Sequence, residues 1–205
     1  MGAKTDFGGG ETVYPVQFPL TVRDWTFSHG HDPNSKEWFV QELLPGGKLS
    51  GEIDQGSWNN AYHVQFPFSV NDKQYIYGHN THTNYWFIQR TGRDDKVGEE
   101  TDDNHWDTAF HVQFPFSIHG KQYFYRQNTD TTRWFIQRLE EDGKMGKLTD
   151  DSQFAGWSCP DASQYPFVVD DIQFFISQNQ HPDNTGKFSF TIRRINPGGR
   201  METLL

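Results

Sequence analysis

Four stretches of this chain gather residue types that could recognise a polyhydroxyl compound. They read His29-Gly30-His31-Asp32-Pro33-Asn34, His79-Asn80-Thr81-His82-Thr83-Asn84, Gln127-Asn128-Thr129-Asp130 and Gln178-Asn179-Gln180-His181-Pro182-Asp183-Asn184. Amides, carboxylates and neutral imidazoles supply donors and acceptors together, the mixture that vicinal sugar hydroxyls need. Each stretch leads to a large ring: Trp38, Trp86, Trp134, or the pair Phe188 and Phe190. A flat apolar ring beside a polar fork suits a pyranose, which has an apolar C–H face and a polar rim. The expected ligand-binding groups are therefore His29, Asp32 and Trp38, then His79, Asn80 and Trp86, then Gln127, Asn128 and Trp134. Turn formation alone explains the Asn and Asp, but not the recurrent His and Gln.

Other chemistry finds less support. His29 and His31, or His79 and His82, are spaced so that two imidazoles could meet one ion, with Asp32 nearby; the third copy lacks both histidines, so no repeated metal site is expected. The acidic runs Glu99-Glu100-Thr101-Asp102-Asp103 and Thr149-Asp150-Asp151 lack the spacing of a calcium loop and read as solvated surface. Cys159 is the single cysteine, which excludes an intrachain disulfide and a Cys-rich zinc site. There is no nucleophile elbow, no phosphate-cradling glycine loop and no His-Glu-x-x-His. The expectation is a non-enzymatic protein with no cofactor.

The elements that must position these groups repeat. The segment 58–103 aligns without a gap to 106–151, with well over half of its positions identical. His63-Val64-Gln65-Phe66-Pro67-Phe68-Ser69 returns as His111-Val112-Gln113-Phe114-Pro115-Phe116-Ser117, and Trp86-Phe87-Ile88-Gln89-Arg90 returns as Trp134-Phe135-Ile136-Gln137-Arg138. Weaker copies flank the pair, so that Gln17, Gln65, Gln113 and Gln164 mark four equivalent places. The repeats run approximately 10–57, 58–105, 106–156 and 157–205, read as one domain. Within a copy the pattern is strand throughout: aromatic and β-branched over 62–70, alternating over 73–78, aromatic over 84–91, and short and polar over 96–101, with turn residues between. Four strands in about 48 residues match one propeller blade, so the expected fold is all-β, a four-bladed β-propeller. The first strand of each blade would line the axis, where the four glutamines would form a hydrogen-bond network.

Aromatic residues, 16% of the chain, must supply most of the core, because all hydrophobic residues together make only 34%. A formal net charge of −9 opposes binding to nucleic acid or anionic membrane surfaces. No apolar run reaches signal-peptide or membrane-spanning length, so the expected location is cytoplasmic, or outside after release without a cleaved signal.

The repeat openings Trp58-Asn59-Asn60-Ala61-Tyr62 and Trp106-Asp107-Thr108-Ala109-Phe110, followed by aromatic strands, resemble the repeats of small propeller lectins of the tachylectin-2 type. That resemblance implies a propeller with recurrent sugar sites, and partners that are glycans or glycoproteins. A protein-interaction or defence module, using the propeller as a rigid platform, is the alternative.

Overall fold

The computed structural model describes residues 14–22, 24–92, 96–153, 163–180 and 188–202. The described residues form sixteen strands and no helix, so none contains a helix long and apolar enough to cross a membrane. The chain divides into two compact units, residues 1–106 and 107–205, and the division falls at a repeat boundary.

The first unit holds two sheets. One has strands β1 (Val16–Val22), β2 (Trp25–His31), β3 (Glu37–Leu44) and β4 (Lys48–Ser57); the other has β5 (Val64–Val70), β6 (Lys73–His79), β7 (Tyr85–Thr91) and β8 (Val97–His105). The second unit repeats the plan with β9 (Val112–Ile118), β10 (Lys121–Gln127), β11 (Arg133–Leu139) and β12 (Met145–Gln153), then β13 (Ser163–Val169), β14 (Ile172–Gln180), β15 (Phe188–Ile195) and β16 (Met201–Glu202). Every sheet is a four-stranded antiparallel meander in chain order. The fold is thus the expected all-β, four-bladed propeller class, with one sheet for each repeat.

Local chemistry fixes each blade. The first hairpins turn on Asn71-Asp72, His119-Gly120 and Asp170-Asp171, all with positive φ, the two-residue geometry that matches strand twist. Pro19, Pro67 and Pro115 lie in first strands, which have a sheet neighbour on one side only, so a missing N–H is tolerated there. The second connection is closed by Asx turns. Asp32 accepts from the Asn34 N–H (2.9 Å), Asn80 from the His82 N–H (2.9 Å), and Asn128 from the Asp130 N–H (2.9 Å). The turns end at Lys36, Asn84 and Thr132 in the left-handed region.

The core is aromatic. In the second blade Phe66, Tyr77 and Trp86 stack at 4.9 and 6.3 Å, and in the third Phe114, Tyr125 and Trp134 stack at 4.9 and 6.4 Å. The first blade keeps the stack but uses a histidine: Phe18, His29 and Trp38 lie 4.8 and 6.3 Å apart. Within each unit, carboxylates link neighbouring sheets. Asp54 of β4 accepts the Val97 N–H of β8 at 2.9 Å, and Asp150 of β12 accepts the Met201 N–H of β16 at 2.7 Å.

Gly78 is required by close approach. A Cβ there would overlap the Phe87 ring. Gly78→Ala should lower stability by about 1–3 kcal/mol, the usual effect of overpacking, read as a lower denaturant midpoint at unchanged m-value. The third blade shows the alternative packing: Arg126 occupies this position, and its guanidinium lies 5.1 Å from the Phe110 ring centre and 4.9 Å from that of Phe135.

Candidate active site

The structure distributes the expected ligand-binding residues among packing and turn roles. His29 and His79 are wholly buried, and Trp86, Gln127 and Trp134 are nearly so. Trp38 is half-buried against His29. Asp32, Asn80 and Asn128 cap their own turns, and Asn128 also donates to Thr108 Oγ1 (2.8 Å) and the Ala109 carbonyl (2.9 Å). Gln127 Oε1 accepts the Tyr125 hydroxyl (3.1 Å) and the Gln164 amide. The axial-network expectation for the glutamines takes a more local form. Gln17, Gln65 and Gln113 each donate to the carbonyl three residues earlier, at Tyr14 (2.9 Å), Tyr62 (3.2 Å) and Phe110 (2.7 Å). Among the described residues, no group of three or more His, Cys, Asp or Glu is arranged to hold a metal ion.

A different cluster stands out on the second blade, and a β-bulge creates it. β7 and β8 pair as Tyr85 with His105, Phe87 with Asp103, and Ile88 with Asp102, but Gln89 then pairs with Glu100. Thr101 is the extra residue, and its hydroxyl donates to the Ile88 carbonyl (3.2 Å). Residues three apart on a regular strand face opposite ways; the bulge restores Glu100 to the face of Asp103. Tyr85, Phe87 and Gln89 share that face through their pairings. The Tyr62 ring closes it, 4.5 Å from Phe87 and 6.4 Å from Tyr85. The bulge also explains why the fourth strand runs to His105, beyond the polar stretch 96–101 expected from sequence: pairing resumes after the unpaired residue.

Tyr85 donates its hydroxyl to Asp103 Oδ2 at 3.1 Å, fixing one carboxylate. Partial burial pushes the Glu100 pKa above its ordinary value, and the neighbouring charges of Asp103 and Asp102 push it further. Burial also drives the Tyr62 hydroxyl up to about 12; a hydrogen bond with Asn60 opposes this, while Glu100 and Asp103 add to it. Tyr85 is raised by burial, by Glu100 and by the bond to Asp103. Tyr62, Tyr85 and Glu100 are thus each shifted toward their protonated forms by burial and by the negative charge around them.

The first and third blades lack this set. At the positions of Tyr62, Tyr85, Glu100 and Asp103, the first repeat has Tyr14, Glu37, Glu52 and Gln55, and the third has Phe110, Arg133, Leu148 and Asp151. Glu99, Glu100 and Asp103 are exposed, in keeping with the expectation of solvated surface for this acidic run, which by itself carried no hint of a paired-carboxyl site. The departure of the second repeat from its siblings was the available signal.

No protein-family model matches this sequence, and no curated protein matches it. Solved structures do resemble the fold. An exo-β-1,3-galactanase from Phanerochaete chrysosporium, solved with β-1,3-galactotriose, aligns at a TM-score of 0.60 and 10% identity over 92% of this chain and 47% of its own. An α-L-arabinanase from Penicillium chrysogenum, complexed with arabinobiose, aligns at 0.59 and 12% over 90% and 64%. A GH43 β-1,3-galactosidase aligns at 0.57 and 10% over 89% and 43%. The chain thus spans about half the length of the galactanase and less of the galactosidase. These neighbours correct two expectations, the binding-only lectin of tachylectin type and the absence of catalysis, because they are named as enzymes that cleave carbohydrate. The expectation of carbohydrate as the partner agrees with them at that coarse level. What the chain shares with them is the β-propeller fold.

Proposed function

We propose that this chain is a hydrolase acting on a glycosidic bond, with Glu100 as proton donor and Asp103 as its partner carboxylate. The observation that carries the reading is the Thr101 bulge, which places two carboxyls on one face beside Tyr62 and Tyr85, the Glu100 carboxyl raised by its surroundings and Asp103 held by the Tyr85 hydroxyl. Glycoside hydrolysis needs such a pair, one group protonated and the other charged. Glu100 transfers its proton to the glycosidic oxygen as the bond from that oxygen to the anomeric carbon breaks. Asp103 stabilises the positive charge that develops at the anomeric carbon. The elements of water then complete the exchange: hydroxide joins the anomeric carbon, and the remaining proton restores the acid. Tyr85 keeps Asp103 oriented.

The test is turnover of galacto- and arabino-oligosaccharides by the purified protein, compared with Asp103→Asn. Release of reducing ends by the parent and its loss in a folded Asp103→Asn variant is the expected result. No turnover across the panel, or turnover indifferent to Asp103, rejects the reading.

A further inference from the structure

The first blade departs from the aromatic stack at one residue. Where the second and third blades have Tyr77 and Tyr125, the first has His29. The phenol oxygens at the other two positions have clear partners. Trp106 Nε1 donates to the Tyr77 hydroxyl at 3.1 Å, and the Tyr125 hydroxyl donates to Gln127 Oε1 at 3.1 Å. In one blade the phenol oxygen accepts from the indole that opens the next repeat, and in the other it donates to the side chain two residues along the strand. In the first blade the corresponding indole is Trp58 and the corresponding side chain is His31.

An imidazole is shorter than a phenol and does not reach as far as its oxygen. His29 is wholly buried, and neither of its ring nitrogens has a well-aligned hydrogen-bond partner, the Gln65 side chain making only a weaker contact with the ring. His31 is also wholly buried and has an unpartnered Nε2, while its Nδ1 lies 2.5 Å from Gln65 Nε2. Gln65 Oε1 is buried and unpartnered as well. The Trp58 ring lies 5.7 Å from His29 and 4.8 Å from His31. Burying several unmatched polar atoms is costly, so a partner is to be expected. Neutral imidazoles, an amide oxygen and an indole N–H present acceptors and donors together, so the complementary ligand must both give and accept hydrogen bonds.

We propose that the first blade binds one hydroxylic group among His29, His31, Gln65 and Trp58, in the role that the phenol oxygen of Tyr77 or Tyr125 plays in its own blade. A water molecule and a hydroxyl of a small sugar share the required chemistry. The site uses neither carboxylate and stands whether or not the chain hydrolyses glycosides, although Tyr62 borders both.

Two substitutions at one position provide the test. His29→Tyr supplies the hydroxyl covalently, whereas His29→Phe keeps a stacking ring and removes every polar atom of the side chain. At pH 7.5 the expected order of melting temperatures is Tyr at or above the parent, with Phe below it by several degrees. Water-selective NMR of the parent should show a long-lived cross-peak to the His29 or His31 ring protons, absent in His29→Tyr. Loss of the parent cross-peak on adding galactose or arabinose identifies a sugar hydroxyl as the occupant, and its persistence identifies water; either fits the proposal. A Phe variant more stable than the parent overturns it, since that is the result for imidazoles buried without a ligand. A parent with no such cross-peak, with or without sugar, also overturns it.

Discussion

Glu100→Gln should lower kcat on a sugar substrate about 10²- to 10⁴-fold, the usual range for losing a positioned acid, with KM changed little. The amide preserves size and most contacts but cannot deliver a proton. The prediction has a pH signature because burial and the neighbouring Asp103 and Asp102 raise the Glu100 pKa. The active form is protonated, so the rate should fall as pH rises through that raised value. Substituting Asp103→Asn should move this falling limb to lower pH as well as reduce turnover, because it removes a negative neighbour that favours the protonated acid. A substrate with a highly activated leaving group needs little protonation, so Glu100→Gln should retain much more activity on it. Equal losses on activated and unactivated substrates would falsify the acid role.

The second large effect concerns stability. Burial holds His29 down to about 3, helped by the nearby His31; Gln65 pulls weakly the other way without forming a well-aligned bond. Burial likewise holds His31 down to about 4, against an opposing attraction from Asp32 and a hydrogen bond to the Tyr62 backbone, with His63 adding to the depression. Both rings are therefore neutral in the native protein well below the pH at which an unfolded chain protonates them, about 6.5. The unfolded state binds more protons below that value, so stability is full above pH 6.5 and declines as pH falls toward 4 and then 3. With two groups the slope approaches two protons per molecule, and the accumulated loss by pH 4.5 is on the order of several kcal/mol. Denaturant titrations from pH 7.5 to 4.5 measure it directly. His29→Phe should remove about half of the slope, and a slope unchanged by that variant would show that carboxylates elsewhere dominate acid unfolding.

The architecture was legible because repeats expose it twice over. The spacing of Gln17, Gln65, Gln113 and Gln164 marked the number of sheets, and turn residues between the strand stretches marked the hairpins, where Asn71-Asp72 take positive φ. The polar loops were recognisable as unusual, but their sequence did not reveal that Asp32, Asn80 and Asn128 cap backbone N–H groups within the same turns. The Glu100 and Asp103 pair was obscured for a geometric reason. Period-two reasoning assigns residues three apart to opposite faces, and the bulge at Thr101 depends on pairing with β7, which no local pattern encodes. The His29 departure was visible as a letter change, but its meaning depends on burial and on the partners that Tyr77 and Tyr125 find.

The carboxylate links between sheets bear on how each half of the chain melts. In a repeat protein, the energy shared between adjacent copies determines whether they unfold together or one after another. Asp54 satisfies a backbone N–H of the following sheet, and Asp150 does the same in the second unit, so each bond is lost if either of its sheets opens. Leu20, Phe27 and Val40 from one sheet and Ile76 and Phe87 from the next join in a single buried cluster that reinforces the coupling in the first unit. The smallest cooperative element is therefore a pair of blades, and hydrogen-exchange rates in β4 and β8 should rise and fall in concert.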